Sequence, residues 1–284
     1  MHFMPNTLVT ASELAASLRD PRWAVIDCRF DLARPEWGAQ AYAEGHVPGA
    51  LYAHLDRDLS TAITPRSGRH PLPSPGQFAV TLGRWGIDDQ TQVVAYDQGS
   101  SAYAARLWWM LRWLGHEAVA VLDGGFAAWQ GAGLPVSAAV ESRAARTFSP
   151  RVAVEPVSTA GLQSRLAKGD AVLVDARAAD RFGGRNETID AVAGHVPGAV
   201  NHPFAGNLDE QGRFRSPAQL RERWQRTLGG RSPGEVIAMC GSGVTACHNL
   251  LALELAELRG AKLYAGSWSE WIRDPARPVA RDYE

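Results

Sequence analysis

Short apolar runs alternate with amphipathic stretches along this chain. Trp23–Asp27, Gln92–Asp97 and Ala118–Asp123 are short, β-branched and continuously apolar, the pattern of buried parallel strands. Ala171–Asp175, Glu235–Cys240 and Ala261–Ala265 repeat it further along. Between these runs the apolar positions take helical spacing, over Ser74–Trp85, Ser101–Leu114, Ser216–Leu228 and Thr245–Arg259. Thr10-Ala11-Ser12-Glu13 is a capping box that opens a helix to about Arg19. Strand–helix alternation predicts an α/β fold with a mostly parallel central sheet flanked by helices. Ligands of such sheets sit at the carboxyl ends of strands.

The pattern is also a repeat of itself. Gly-His-Val-Pro-Gly-Ala occurs at Gly45–Ala50 and at Gly194–Ala199, so that His46 and His195 stand 149 residues apart. Val25–Arg29 matches Leu173–Arg177, Val93–Asp97 matches Val236–Cys240, and Leu122–Trp129 matches Tyr264–Trp271, all in the same order. So long a period means two domains of one fold rather than a solenoid. The Ala-, Ser- and Arg-rich segment Ser137–Pro156 falls between the copies and reads as a linker. The expected division is an N-terminal domain over 1–138, a linker over 139–156 and a C-terminal domain over 157–284.

Composition narrows the classes. With 284 residues, 45% of them apolar, and a formal net charge of −1, the chain is an ordinary globular protein without the clustered basic charge of a general nucleic-acid binder. No stretch approaches the ~18 apolar residues of a membrane span. The N-terminus lacks a basic region followed by an apolar one, so no signal peptide is expected. Three cysteines make no disulfide framework, which sets a reducing cytoplasm as the default compartment and makes a cysteine in an unusual setting a candidate reagent. No Cys/His cluster has metal-ligand spacing.

Cys240 is in such a setting. It ends an apolar run and opens Cys240-Gly241-Ser242-Gly243-Val244-Thr245, ahead of a helix. Two glycines let the backbone curl with its N–H groups turned inward, and the helix adds its positive end. Both favour a thiolate and any anion built on it. The first half has Asp97-Gln98-Gly99-Ser100-Ser101 at the matching place, so only one copy carries a nucleophile there.

Cys-Gly-Ser-Gly-Val-Thr, the duplicated Gly-His-Val-Pro-Gly-Ala, Leu122-Asp123-Gly124-Gly125 and Gly266-Ser267-Trp268-Ser269-Glu270-Trp271 together resemble the two-domain rhodanese-like sulfurtransferases, in their mercaptopyruvate-using form. The resemblance runs from about Leu8 to Trp271. It implies two tandem rhodanese-like domains, the first catalytically silent. It also implies sulfur transfer through a persulfide on Cys240 to an acceptor such as cyanide, a small thiol or thioredoxin, with no cofactor. The inward N–H groups of Gly241, Gly243, Val244 and Thr245 would hold the persulfide. Neutral Gly241 and Ser242 stand where thiosulfate-preferring members carry Arg and Lys, which favours mercaptopyruvate as donor. Ser242 would work with His70 and Asp56 in a proton relay. Arg181 matches the first substrate arginine; the second position holds Thr188, and Arg185, three residues earlier, is the nearby candidate. Thiosulfate stays open as a donor.

Two other readings compete. A cysteine phosphatase or arsenate reductase closes its loop with Arg, where this chain has Ala246. A non-catalytic binding module would not need the Cys240 loop. His46 and His195 recur in both copies and read as turn residues. Asp27 and Asp175 read as partners of Arg29 and Arg177, Cys28 and Cys247 as packing, and Trp108, Trp109 and Trp113 as core.

Overall fold

A computed structural model describes residues 5–282, in two compact units. In the first, the strands are β1 (Leu8–Val9), β2 (Trp23–Asp27), β3 (Leu51–Tyr52), β4 (Gln92–Tyr96) and β5 (Val119–Leu122). They form one parallel sheet in the order β1-β5-β4-β2-β3. The helices are α1 (Ala11–Ser17), α2 (Trp37–Glu44), α3 (Pro75–Arg84), α4 (Ala104–Trp113) and α5 (Gly125–Gly131). The expected capping box is present: Thr10 accepts from the Glu13 N–H while Glu13 reaches back to the Thr10 N–H.

The second unit holds α6 (Thr159–Lys168), β6 (Val172–Asp175), α7 (Ala179–Phe182), β7 (Val200–Asn201), α8 (Pro217–Leu228), β8 (Val236–Met239), α9 (Thr245–Leu255), β9 (Lys262–Leu263) and α10 (Ser267–Trp271). Its parallel sheet runs β7-β6-β8-β9. Where the first unit has β1 on β5, the second makes a single Val157 N–H bond to the Leu263 carbonyl. The two-residue strands β1, β3 and β7 are too short to leave a hydrophobic period, which is why the pattern missed them.

The units depart from the halves of the repeat. Residues Ala62–Pro71 belong to the second unit and Glu210–Arg213 to the first, and the break between units falls at Val154/Glu155. The expected linker is therefore mostly a strap on the first unit. Backbone bonds run from Arg146 to the Gly83 carbonyl, from Arg151 to that of Leu114 and from Ala153 to that of Trp113. A Cβ on Gly83 would lie 2.5 Å from the Arg146 carbonyl oxygen, so glycine lets the strap lie down.

Each core repeats the other. Val25, Val94, Tyr96, Leu122, Phe126 and Trp129 pack in the first unit; Leu173, Ile237, Met239, Tyr264, Trp268 and Trp271 pack in the second. Buried Arg29 forks onto Asp27 and donates to the Gly45 carbonyl, and Arg177 does the same with Asp175 and Gly194. Each guanidinium lies over an aromatic ring, Phe126 at 4.2 Å and Trp268 at 4.8 Å. His46 stacks on Tyr42 and His195 on Phe182, each ring bonded through Nδ1 to that residue's own carbonyl. Identical use in both copies marks these four residues as scaffold. Trp108, Trp109 and Trp113 are buried on α4.

Beneath α8 and α9, His202 stacks on Trp224 at 3.8 Å and bonds Thr227 and Asn207. Burial pushes its pKa down to about 4, with the Asn207 bond opposing and the charge of Arg223 adding to the drop. The folded state thus keeps the ring neutral, while the unfolded chain takes up a proton below 6.5. Its contribution is complete above about pH 6.5 and is lost as pH falls toward 4, by about 3 kcal/mol in all. Urea unfolding of the wild type and of His202→Gln, at pH 7 and pH 4.5, checks this. The wild type should lose the larger share of its stability on acidification, and equal losses would contradict it.

Candidate active site

Strand β8 delivers Cys240 to its carboxyl end, and α9 begins at Thr245. The five-residue loop between them, Cys240–Val244, is held from one side by the block that leads into α10. The Cys240 carbonyl accepts from the Trp268 N–H at 3.0 Å and the Gly241 carbonyl from the Ser269 N–H at 2.9 Å. The Cys240 N–H donates to Ser267 Oγ at 3.1 Å, and that hydroxyl donates to the Tyr264 carbonyl at 3.0 Å. The Gly243 N–H points at Cys240 Sγ, 3.1 Å away. Gly243 has φ +79°, and a Cβ there would lie 2.3 Å from the Ala265 carbonyl oxygen. Only glycine makes this curl. Among the described residues, none accepts the N–H of Ser242, Val244 or Thr245.

The first unit builds the same loop with a different occupant. The Phe126 N–H bonds the Asp97 carbonyl and the Ala127 N–H that of Gln98, matching the Trp268 and Ser269 bonds. There Asp97 takes the N–H groups of Gly99 and Ser101 on one oxygen and those of Tyr103 and Ala104 on the other. Burial still raises the Asp97 pKa against those four donors. The Cys28 thiol of the same unit is pushed well up by burial and by Asp27, Asp97 and Asp58, which disfavours its thiolate.

His70 lies in the segment Ala62–Pro71 of the second unit, and its Nδ1 is 2.7 Å from Ser242 Oγ. His70, Ser242 and Cys240 are all buried. The preceding Gly68 lets this segment touch the Gly266–Ser269 turn, because a Cβ there would lie 2.5 Å from the Gly266 carbonyl oxygen. The Arg69 N–H then donates to Ser269 Oγ at 3.0 Å. Arg69 pairs with Asp190 through Nη1. Asp190 also takes Arg181 Nη2 at 3.1 Å, and Arg181 forks onto Glu187. Glu187 sits below its ordinary range: burial alone would raise it, but Arg181 and the N–H groups of Asp190 and Ile189 outweigh that. Asp190 is shifted up by burial and by Glu187, against the pull of Arg69 and Arg181.

Of the residues expected at the site, Cys240, Gly241, Ser242, Gly243, Val244, Thr245, His70 and Arg181 fall together in the second unit. Asp56 is an exposed residue of the first unit, its N–H on His54 Nδ1. Arg185 is exposed, with its backbone N–H on the Asp180 carbonyl. Cys247 points its thiol at the Gly243 carbonyl, 3.3 Å away, so it buttresses the loop from the helix side. Ser267, Arg69, Asp190 and Glu187 were not expected. For Ser267 a signal exists: it aligns with Gly125, a left-handed position in the first copy. For the other three, only the fold brings the side chains together.

This site and fold define a class. The chain belongs to the rhodanese-like domain family, which it matches over residues 10–132 and 158–274. It is 50% identical over 276 residues to a probable 3-mercaptopyruvate sulfurtransferase of Pseudomonas aeruginosa, covering 96% of this chain and 97% of that one. It is 38% identical to a putative thiosulfate sulfurtransferase of Mycobacterium tuberculosis, covering 97% of each. The crystal structure of the Escherichia coli 3-mercaptopyruvate sulfurtransferase superposes with a TM-score of 0.80 at 33% identity, over 93% of this chain and all of that one.

Ser267 offers a direct test of the loop's support. It holds φ +54°, where a non-glycine residue costs roughly 1 kcal/mol, and its hydroxyl links Cys240 to Tyr264. Ser267→Ala keeps the strain and loses both bonds; Ser267→Gly loses the bonds but relieves the strain. Chemical denaturation should rank them wild type, then Gly, then Ala. Ala equal to or above Gly would refute the role assigned to the backbone strain.

Proposed function

We propose that the protein is a sulfurtransferase that takes a sulfur atom from 3-mercaptopyruvate and passes it to a thiophilic acceptor through a persulfide on Cys240. The observation that carries this reading is the pairing of a neutral Cys-Gly-Ser-Gly loop with the 2.7 Å contact of Ser242 with His70.

The Cys240 thiolate attacks the donor sulfur, the carbon–sulfur bond breaks, and its electron pair goes to carbon as the pyruvate enolate. The donor's thiol proton moves to that carbon, leaving a Cys240 persulfide anion and pyruvate. Ser242 and His70 supply the path for the proton. The Gly243 N–H that now faces Sγ, with those of Ser242, Val244 and Thr245, meets the terminal sulfur and stabilises its charge. Cyanide or a thiolate then attacks the terminal sulfur, leaves as thiocyanate or a new persulfide, and restores the Cys240 thiolate. A small thiol or thioredoxin in a reducing cytoplasm fits as acceptor. No described helix is long and apolar enough to cross a membrane.

Thiosulfate is the second reading, favoured by the guanidinium groups beside Gly241. Its step differs in one respect. Sulfite leaves with its own electron pair and needs no proton. The two donors therefore separate the relay from the nucleophile. Ser242→Ala should slow mercaptopyruvate turnover by about 10²-fold and thiosulfate turnover far less. Equal losses would show that Ser242 only shapes the loop.

The central test is mass spectrometry of the reduced protein after incubation with each donor. A single added sulfur on Cys240 is expected. Cys240→Ser should abolish turnover and Cys247→Ser should largely keep it. No adduct from either donor would overturn the reading.

A further inference from the structure

The first unit has no cysteine in its loop, yet it keeps a cavity beside it. The cavity measures about 300 Å³, and its lining includes Arg29, Trp37, Gly45, Gln98, Phe126 and Val136, all residues of the first unit. Arg29, Gln98 and Phe126 follow strands β2, β4 and β5, so the cavity lies at the carboxyl end of the sheet, where ligands of such sheets sit. Trp37, Phe126 and Val136 make its walls apolar, and Arg29 supplies a cation.

Arg29 is 3% exposed, and its donors are unevenly spent. Nε and Nη2 take Asp27, and Nη2 also meets the Ala41 and Gly45 carbonyls. Nη1 has no acceptor among the described residues. The second copy shows what suits that nitrogen. Arg177 makes the same fork to Asp175 and the same bond to the Gly194 carbonyl, and its Nη1 reaches Glu187 Oε2 at 3.5 Å. Glu187 is a buried carboxylate that the chain itself supplies. In the first copy the stretch between Arg29 and His46 forms α2 instead and brings Trp37 and Ala41 to the cavity. Glu44 also lines the cavity, but it is exposed, so water screens its charge.

We infer that the first unit binds a small organic monocarboxylate, with its carboxylate on Arg29 Nη1 and its apolar body against Trp37, Phe126 and Val136. The carboxylate takes the part that Glu187 plays in the second copy. A carboxylate is the acceptor a buried guanidinium suits best, and the walls reward a ring or short alkyl chain. The loop cradle takes no part, because Asp97 fills it. The cavity includes no residue of the Cys240 loop. The inference therefore goes beyond the sulfurtransferase reading and does not rest on it.

Phenylacetate, titrated into the isotope-labelled full chain, is the probe. The indole N–H resonance of Trp37 and the Nε–H resonance of Arg29 should shift together and saturate, with a Kd of about 1 mM. Phenylacetamide, which lacks the charge, should bind about 10-fold more weakly. Acetate, which lacks the ring, should also bind about 10-fold more weakly. Gln98→Glu, at an exposed position, should weaken phenylacetate about fivefold by repulsion. Arg29→Lys keeps the charge beside Asp27 but has no Nη1, and should abolish the shifts. If that variant does not fold, Gln98→Glu and the amide carry the test. Absence of a saturable shift at Trp37 and Arg29 would overturn the site. So would equal affinity for acid and amide, or shifts confined to resonances of the second unit such as the Trp268 indole.

Discussion

A buried strand that ends against the start of a helix leaves inward N–H groups that need an acceptor, and no water can supply it cheaply. The fold solves this requirement twice. In the first unit Asp97 bends back and takes four N–H groups. In the second the same position is Cys240, whose sulfur takes the Gly243 N–H and leaves other donors of the loop open. The scaffold around each is almost superimposable in its bonding: a buried Asp–Arg fork, a histidine stacked under the turn, and two backbone bonds from the following turn onto the loop. The loops differ in whether the cradle is filled by its own carboxylate or holds a sulfur that takes the Gly243 N–H.

Filling the cradle occupies the first copy's loop with its own carboxylate. Its four N–H groups are already engaged, and the nearby thiol, Cys28, is raised by burial and by three carboxylates. The second copy turns the Gly243 N–H onto its thiol sulfur and bonds the loop to the turn that opens α10. Ser267 accepts a left-handed conformation to hold the Cys240 N–H, a position at which the first copy uses Gly125. A Cβ on Gly125 would lie 2.5 Å from the Asp97 carbonyl oxygen, so the two loops approach their turns differently at that point. Backbone strain in the second copy is thus exchanged for a hydrogen bond at the nucleophile.

Much of this was legible in the residues because it is local or repeated. The β8 strand, the glycine curl after it and the helix start are consecutive in sequence, and duplication exposed Asp97 as the counterpart of Cys240. The Gly-His-Val-Pro-Gly-Ala turns could be read as scaffold because both copies keep them. What was not legible depends on distant side chains meeting. Arg69, Asp190 and Glu187 have no shared period or motif, and the Arg69–Asp190 pair exists only once Ala62–Pro71 has settled on the second unit. That settling is invisible to hydrophobic patterning, since the segment is irregular and polar. Its one signal is Gly68, and a lone glycine in a loop is too common to be read alone. The backbone bonds of Arg146, Arg151 and Ala153 to Gly83, Leu114 and Trp113 are illegible for a related reason: they involve main chain, which no side-chain pattern reports.

The placement of His70 and Arg69 has a chemical consequence. Both are consecutive residues of a segment that the repeat assigns to the first half but the packing assigns to the second. One meets the loop serine, the other faces the loop glycine. If sulfur leaves mercaptopyruvate at Cys240, the donor must present its thiol to the sulfur, its developing enolate carbon to a proton source, and its carboxylate to a cation. Those three demands are spaced along one small molecule. The segment that carries His70 brings its ring to Ser242, in the loop that follows strand β8. That segment is anchored by the Arg69 N–H on Ser269 and by the close approach of Gly68 to Gly266. A displacement of that segment would disturb the Ser242–His70 contact directly, whereas the Gly243 N–H that faces Cys240 Sγ belongs to the loop itself.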